Sequence, residues 1–296
     1  MTHTRLAIFT LGYKGYTVLK RLIESDFPLT ITCILSEDKN LAEDYCEEIS
    51  TYCKQHNISI YPRNHVHTLK DYDLIFAVGW RWLIKDVMQR LIVFHDSLLP
   101  QYRGFAPVVN ALLNKEPHIG VTALLASEEY DAGNILFQKR IAVTYPTTIE
   151  DEINRISCCY GDIAEEIIDA VLSGKISKDG IPQDKTKITY SLWRDNDDYR
   201  IDWNKNDLDI LHFISCVGYP YLGASTECNG RMLRIFSAQK QQDVVIENRT
   251  PGKVIFLEDR RFPVVVCGKG LLKLTDVRYE DGRSALPLRT FRSRFR

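Results

Sequence analysis

The 296-residue sequence carries 38 Lys and Arg against 39 Asp and Glu, a formal net charge of -1, with 45% hydrophobic and 26% charged residues. That balance suits one large or two moderate domains with a real core, and it gives no electrostatic basis for general nucleic-acid binding. No stretch reaches the length of a membrane span, and no cleavable leader pattern precedes the first apolar run, so a cytoplasmic protein without membrane association is expected. The eight cysteines form no CxxC pair, and Cys46 and Cys53 are separated by a spacing that suits no zinc site, so reduced thiols and no metal are expected.

In chain order, residues 6–11 read as a strand, 12–24 as a turn and helix, and 29–35 as a second strand. A charged helix over 40–57 precedes a buried strand at 74–78, a short helix at 85–90 and a fourth strand at 91–95. A helix starts at Pro107 and runs to 113, followed by a strand at 120–125 and a long amphipathic helix at 149–172, with Thr147 or Thr148 as its cap. This alternation predicts an α/β fold with a doubly wound, mostly parallel, Rossmann-like sheet, in which ligands sit beyond the carboxyl ends of the strands. From about residue 223 the pattern changes to short strands at 232–238, 252–257, 263–266 and 271–277, predicting a smaller β-barrel-like (OB-like) domain. The expected division is a catalytic domain over 1–190, a linker over 191–215 and a small β domain over 216–296. The three arginines within 291–296 read as a solvated tail.

Gly12 and Gly15 follow the first strand, but Thr17 stands where a dinucleotide fingerprint needs its third glycine, so a tight turn explains them. The segment His95-Asp96-Ser97-Leu98-Leu99-Pro100-Gln101-Tyr102-Arg103-Gly104 is more informative. Its histidine emerges from a buried strand, a proline stiffens the turn, and a glycine permits close backbone approach. A second loop, Tyr130-Asp131-Ala132-Gly133-Asn134, carries a carboxylate able to orient an imidazole if both loops rise from one sheet edge. Taken singly, His95 also reads as a loop histidine with a backbone partner, and Asp131 as a turn former.

Together these segments resemble the folate-dependent formyltransferases, which include methionyl-tRNA formyltransferase, glycinamide ribonucleotide transformylase and the sugar N-formyltransferases. His95, Ser97 to Pro100, Arg103 and Gly104 match the loop Asn-x-His-x-Ser-Leu-Leu-Pro-x-x-Arg-Gly, and Asp131 and Gly133 match the Asp-x-Gly-Asp turn, with Asn134 replacing the last acid. Gly120-Val121-Thr122, Arg200-Ile201-Asp202-Trp203 and Tyr219-Pro220-Tyr221-x-Gly223 extend the resemblance over about residues 70 to 225. It implies 10-formyltetrahydrofolate as formyl donor and an amine as acceptor, with His95 as base and Asp131 holding it. It also implies a pterin site beside residues 79–84, using Trp82, Leu83, Ile84, Tyr130 and Asp131, with Trp80 or Trp82 filling the core. The family's catalytic asparagine falls at Val93, which cannot donate a hydrogen bond to an oxyanion. A backbone N–H, Ser97, Asn110 or Asn134 substitutes, or two residues of the trio suffice, or the chain is a catalytically impaired folate or nucleotide-sugar binding protein.

Between acceptors, residues 101–111 carry only Arg103 as a basic group, against the basic insertion expected of a tRNA enzyme. The chain length, the run 102–107 and the pair Glu128-Glu129 resemble the sugar branch. The expected acceptor is a nucleotide-linked amino-deoxysugar, of the kind UDP-4-amino-4,6-dideoxy-N-acetyl hexose, with Arg81, Gln101, Tyr102 and Arg103 contacting the sugar or diphosphate. Methionyl-tRNA is the alternative acceptor. Homodimerisation through an exposed apolar element of the second domain stays open.

Overall fold

The computed structural model describes residues 3–38, 43–65, 69–84, 90–177 and 179–296. The chain divides into two compact units, 1–144 with 151–193, and 145–150 with 194–296. The short helix expected at 85–90 falls largely outside the described residues.

The first unit is built on a seven-stranded sheet. Its strands are β1 (Thr4–Thr10), β2 (Leu29–Leu35), β3 (Ser59–Pro62), β4 (Leu74–Val78), β5 (Leu91–His95), β7 (His118–Leu125) and β8 (Ile135–Ala142), in the order β3-β2-β1-β4-β5-β7-β8. β3 to β5 run parallel. β4 is buried at all five positions, as a strand covered on both faces must be, which explains its unbroken apolar sequence. β7 is antiparallel to both neighbours, so the sheet is mixed. The helices α1 (Gly12–Glu24), α2 (Cys46–Gln55), α3 (Pro107–Leu113) and α4 (Ile149–Leu172) complete the layers. The charged helix expected over 40–57 begins only at Cys46, with residues 43–45 non-helical. α1 and α4 share one face of the sheet: Arg21 donates to Asp162 at 2.6 Å and to Glu165 at 2.7 Å, and Tyr160 stacks on Phe94 at 5.6 Å. Ala7, Phe9, Ile75, Ala77 and Leu91 form a cluster on the opposite face, against which Trp80, Val93 and Ala126 pack.

β3 and β8 were not predicted, for a common reason. Both are edge strands, half-exposed, and β8 carries Gln138, Lys139 and Arg140 in succession at its centre, which breaks the apolar run. A two-residue strand β6 (Arg103–Gly104) pairs in parallel with β9 (Tyr190–Ser191), bringing a distant polar segment against the loop after β5.

The second unit contains α5 (Asp207–Cys216) and an antiparallel sheet of β10 (Ala224–Cys228), β11 (Arg231–Gln241), β12 (Val254–Glu258), β13 (Phe262–Val266) and β14 (Leu271–Tyr279), in the order β10-β11-β14-β13-β12. α5 lies largely within the stretch expected as linker, and its N-cap Asn206 accepts from the Asp209 N–H. Ile201 and Trp203 are buried, with the indole donating to Thr226 at 3.0 Å.

Residues 291–296 are not a solvated tail. Phe295 is 1% exposed and bridges Cys228 of β10, while Arg294 bridges Lys253 beside β12. Glu227 and Arg296 exchange backbone hydrogen bonds at 2.9 and 2.8 Å, and the Phe295 N–H donates to the Gly252 carbonyl at 2.8 Å. The last segment therefore joins both sheet edges, and the hydrogen bonding runs round a closed, barrel-like wall. The arginines of this segment point outward at alternate positions, which is why their charge masked a strand in the sequence.

Phe295→Ala removes a fully buried ring that packs on Trp203 at 5.7 Å. A loss of about 3–5 kcal/mol is expected, read by denaturant unfolding of the full chain.

Candidate active site

His95 ends β5 at its carboxyl end, buried to 7% exposure, on the same face as Leu91 and Val93 by strand alternation. Its Nε2 lies 2.9 Å from the Tyr102 carbonyl oxygen and its Nδ1 3.4 Å from Asp131 Oδ1. Two acceptors bracket the ring. A doubly protonated imidazole satisfies both; in the neutral ring the closer Tyr102 carbonyl, which can only accept, calls for the proton on Nε2 and leaves Nδ1 as the proton acceptor.

Asp131 reaches His95 by a route the sequence did not suggest. β7 runs antiparallel to β5 with Thr122 opposite His95 and Leu125 opposite Ile92, so it ends at the far end of β5. The β7–β8 turn then folds back over the Val93 face to deliver the carboxylate, rather than rising from the same sheet edge. Gly133 makes the return possible: a Cβ there would lie 1.7 Å from the Leu125 carbonyl oxygen. Asp131 itself takes a left-handed φ of 54°, as Tyr102 does at 58°, conformations that persist only where the surroundings impose them.

Those surroundings are hydrogen bonds. Asp131 Oδ2 accepts from the Gly104 N–H at 2.8 Å, tying the turn to the loop after β5. Gln183 donates to the carbonyls of Asp131 at 2.7 Å and Gly133 at 2.8 Å, and its own oxygen accepts from Arg103 at 2.7 and 3.1 Å. Thr122 donates to the Ser97 carbonyl at 2.7 Å and accepts from the Leu99 N–H at 3.2 Å, while Gln138 donates to Thr122 and to the Leu99 carbonyl. Ser97 donates to the Gln101 carbonyl at 2.7 Å.

The other predicted residues divide into two groups. Arg103 is buried and engaged by Gln183, and the Tyr102 phenol donates to Glu116 at 2.7 Å and accepts from Asn114. Burial and the Glu116 carboxylate together push that phenol up, against the Asn114 amide, so it stays protonated. Gln101 and Tyr130 are exposed. Arg81, Trp82, Leu83 and Ile84 follow β4, the strand beside β5. Arg81 pairs with the buried Asp38 at 2.8 Å. Trp82 is half-buried beneath Arg63 and set edge-on to Trp80, which itself packs on Phe9. Leu83 is 66% exposed, and Ile84 belongs to the core.

Val93 pairs with Ala77 and Leu124 and packs against the apolar cluster. The proposed substitutes for its missing amide are engaged elsewhere: Ser97 with Gln101, Asn110 with the Ala106 carbonyl at 3.0 Å, and Asn134 with the Asp179 carbonyl at 2.6 Å.

Sequence reasoning missed Gln183, which sits in a polar segment with no pattern to mark it. It also missed a cluster behind His95, where the Asp96 carboxylate is paired with Lys14 and accepts from the Tyr160 hydroxyl. Burial works to raise the Asp96 carboxyl, but the Lys14 ammonium, the hydrogen bonds from Lys14 and Tyr160, and nearby His95 outweigh it and hold it below the usual range.

The chain matches the formyl transferase family over residues 54–160 and the formyl transferase C-terminal domain over 194–295. The methionyl-tRNA formyltransferase of Streptococcus thermophilus is 29% identical over 195 residues, covering 66% of this chain and 60% of that one. The chain thus spans about three fifths of that relative's length. An N-formyltransferase from Helicobacter canadensis, solved with folinic acid and dTDP-3-aminofucose, superposes with a TM-score of 0.66 at 16% identity, covering 92% of this chain and 98% of that one. HypX from Aquifex aeolicus gives 0.65 at 19% identity, covering 94% of this chain and 46% of that one. At such identities these two likenesses speak to the fold.

Gln183→Leu leaves two carbonyls and Arg103 without their partner, and should cost about 1–3 kcal/mol in urea unfolding. Asp96 contributes stability that is present above its unfolded value of about 3.9 and is lost as pH falls through its lower folded value. The stability gap between wild type and Asp96→Asn should therefore hold steady from neutral pH down to about 5 and shrink below about 4, read as urea midpoints across pH.

Proposed function

We propose that this chain, which belongs to the folate-dependent formyltransferase superfamily, transfers a formyl group from 10-formyltetrahydrofolate to the amine of a separate acceptor. The observation that carries this reading is the bracketing of His95 between Asp131 and the Tyr102 carbonyl. In the transfer, the amine nitrogen bonds to the formyl carbon and loses a proton, while the bond from that carbon to N10 breaks and N10 gains a proton. An amine that is still protonated has no lone pair, so a base beside it is required. His95 supplies it: the ring takes up the proton, the Tyr102 carbonyl and Asp131 accept from its two nitrogens, and the carboxylate balances the charge that results. The 3.4 Å separation is longer than a formed hydrogen bond and suits a contact that tightens with substrate in place.

For the donor, Leu83 and the half-buried Trp82 give an apolar lip after β4, fitting one face of a pterin, while Ile84 contributes through its backbone. Tyr130 offers an exposed ring in the Asp131 turn. The oxyanion that forms on the formyl carbon has no side-chain amide at position 93, so its stabilisation rests on backbone N–H groups or is partly forgone. The cytoplasmic setting expected from the sequence goes with a reduced-folate donor.

For the acceptor, sequence relatives back aminoacylated tRNA better than the amino sugar expected above: methionyl-tRNA formyltransferases reach 32% identity, over 187 residues, in Halalkalibacterium halodurans. The sugar reading keeps the support of its sequence features and of the near-complete mutual coverage with the Helicobacter canadensis enzyme and its bound dTDP-3-aminofucose. In it, Arg81, Gln101 and Tyr102 remain the proposed sugar or diphosphate contacts, with Arg103 holding the loop.

Release of tetrahydrofolate in the presence of methionyl-tRNA, or of dTDP- and UDP-linked amino sugars, decides between them. His95→Ala and Asp131→Asn should each lower turnover by about 10²–10⁴ with either acceptor. Undiminished turnover in His95→Ala would sink the proposed chemistry, and turnover with one acceptor class alone identifies the substrate.

A further inference from the structure

Asp96 follows His95 directly, yet the reaction above gives it no part. Its carboxylate is ion-paired with Lys14, in the first turn of α1, and accepts from Tyr160 of α4. The Lys14 and Asp96 side chains are 15% and 19% exposed, and Tyr160 is 1% exposed. The Tyr160 ring is fixed by stacking on Phe94 with 18° between planes, and Lys14 Nζ lies 6.0 Å from its centroid.

Such a pair is a poor way to hold helices together. Removing two charges from water costs about as much as their attraction returns, and apolar residues of equal volume serve as well. Nor is the joint between α1 and α4 short of ties. Arg21 bridges Asp162 and Glu165 there, at a partly exposed rim where ion pairs cost little. What distinguishes the Lys14–Asp96 pair is its address, directly behind His95.

The geometry points to a positioning role: the Lys14–Asp96–Tyr160 cluster anchors the end of β5 and sets the charge that the His95 ring meets from the helix-covered face of the sheet. Asp131 and the Tyr102 carbonyl act from the other side. The charged and titratable groups around the ring are thus Asp131 from the β7–β8 turn, Asp96 at its own strand end, Lys14 from α1 and Tyr160 from α4. Asp96 and Lys14 oppose each other, so removing either one exposes the ring to the other.

This inference rests on His95 as the proton-carrying residue, so the test needs a readout that does not depend on turnover. Ring ¹⁵N shifts of His95, assigned by their loss in His95→Ala, report the doubly protonated fraction of the ring at a fixed pH near neutrality. In Asp96→Asn, which keeps the shape of the carboxylate, Lys14 is left uncompensated and that fraction should fall. In Lys14→Met, Asp96 is left uncompensated and it should rise. The acid limb of the kcat/KM profile should move in the same senses, down and up, by about one pH unit. Thermal unfolding of each full-length variant checks that it is folded. Ring shifts unchanged in Asp96→Asn, or displaced in the same direction by both substitutions, overturn the proposal. Opposite displacements in a chain that shows no formyl transfer uphold the coupling and defeat the reaction reading alone.

Discussion

The Asp131 carboxylate meets His95 only because a turn that starts at the wrong end of the sheet is pulled back across its face. β7 runs down while β5 runs up, and the chain must recover the length of the strand within a few residues before β8 begins. Gly133 lets the backbone pass against Leu125, and Gln183 holds the turn to Arg103 and hence to the His95 loop. The left-handed conformations of Asp131 and Tyr102 follow from those ties. One side chain from a remote polar segment, together with the Gly104 N–H, thus holds Asp131 where it faces His95. Buried networks of this sort specify geometry because each unmet partner is costly.

How much of this was readable beforehand depended on burial. The central strands and the helices beside them were legible because two covered faces demand unbroken apolar runs, and a covered helix face demands its own period. β3 and β8, each with one side open, gave no comparable signal. His95 stood out as a histidine at the end of a buried strand, and Asp131 through resemblance to a known turn. The residues that position them did not. Gln183 sits among turn formers, and Asp96 lies inside a motif at a place where the family pattern asks for nothing in particular. Contacts across 52 and 64 residues of sequence leave no local trace.

Val93 reads differently in the folded chain than in the sequence. By sequence it is a missing hydrogen-bond donor; in the sheet it extends an apolar surface that runs from Phe9 and Ala77 to the edge of the His95 site. Ser97, Asn110 and Asn134, the donors that might have replaced it, are each spent on holding loops. The polar groups near His95 are thus engaged chiefly in holding the ring and the turns around it. Position 93 therefore adds apolar surface beside His95 where the family pattern places an amide.

The closed wall of the second unit bears on how the protein behaves in a crowded solution. An antiparallel sheet left open presents two rows of unpaired N–H and C=O groups to any passing strand, and residues 293–296 occupy one row on each side. Loss of this segment would open the β12 row and the Glu227–Cys228 stretch of the β10 row, together with the cavity vacated by Phe295, while Ile201 still covers Ser225. Arg296 is itself paired with Glu227 in a ladder, so this stretch also keeps that part of β10 from serving as a free edge. Protection of both sheet edges against passing strands thus depends on one short stretch of backbone.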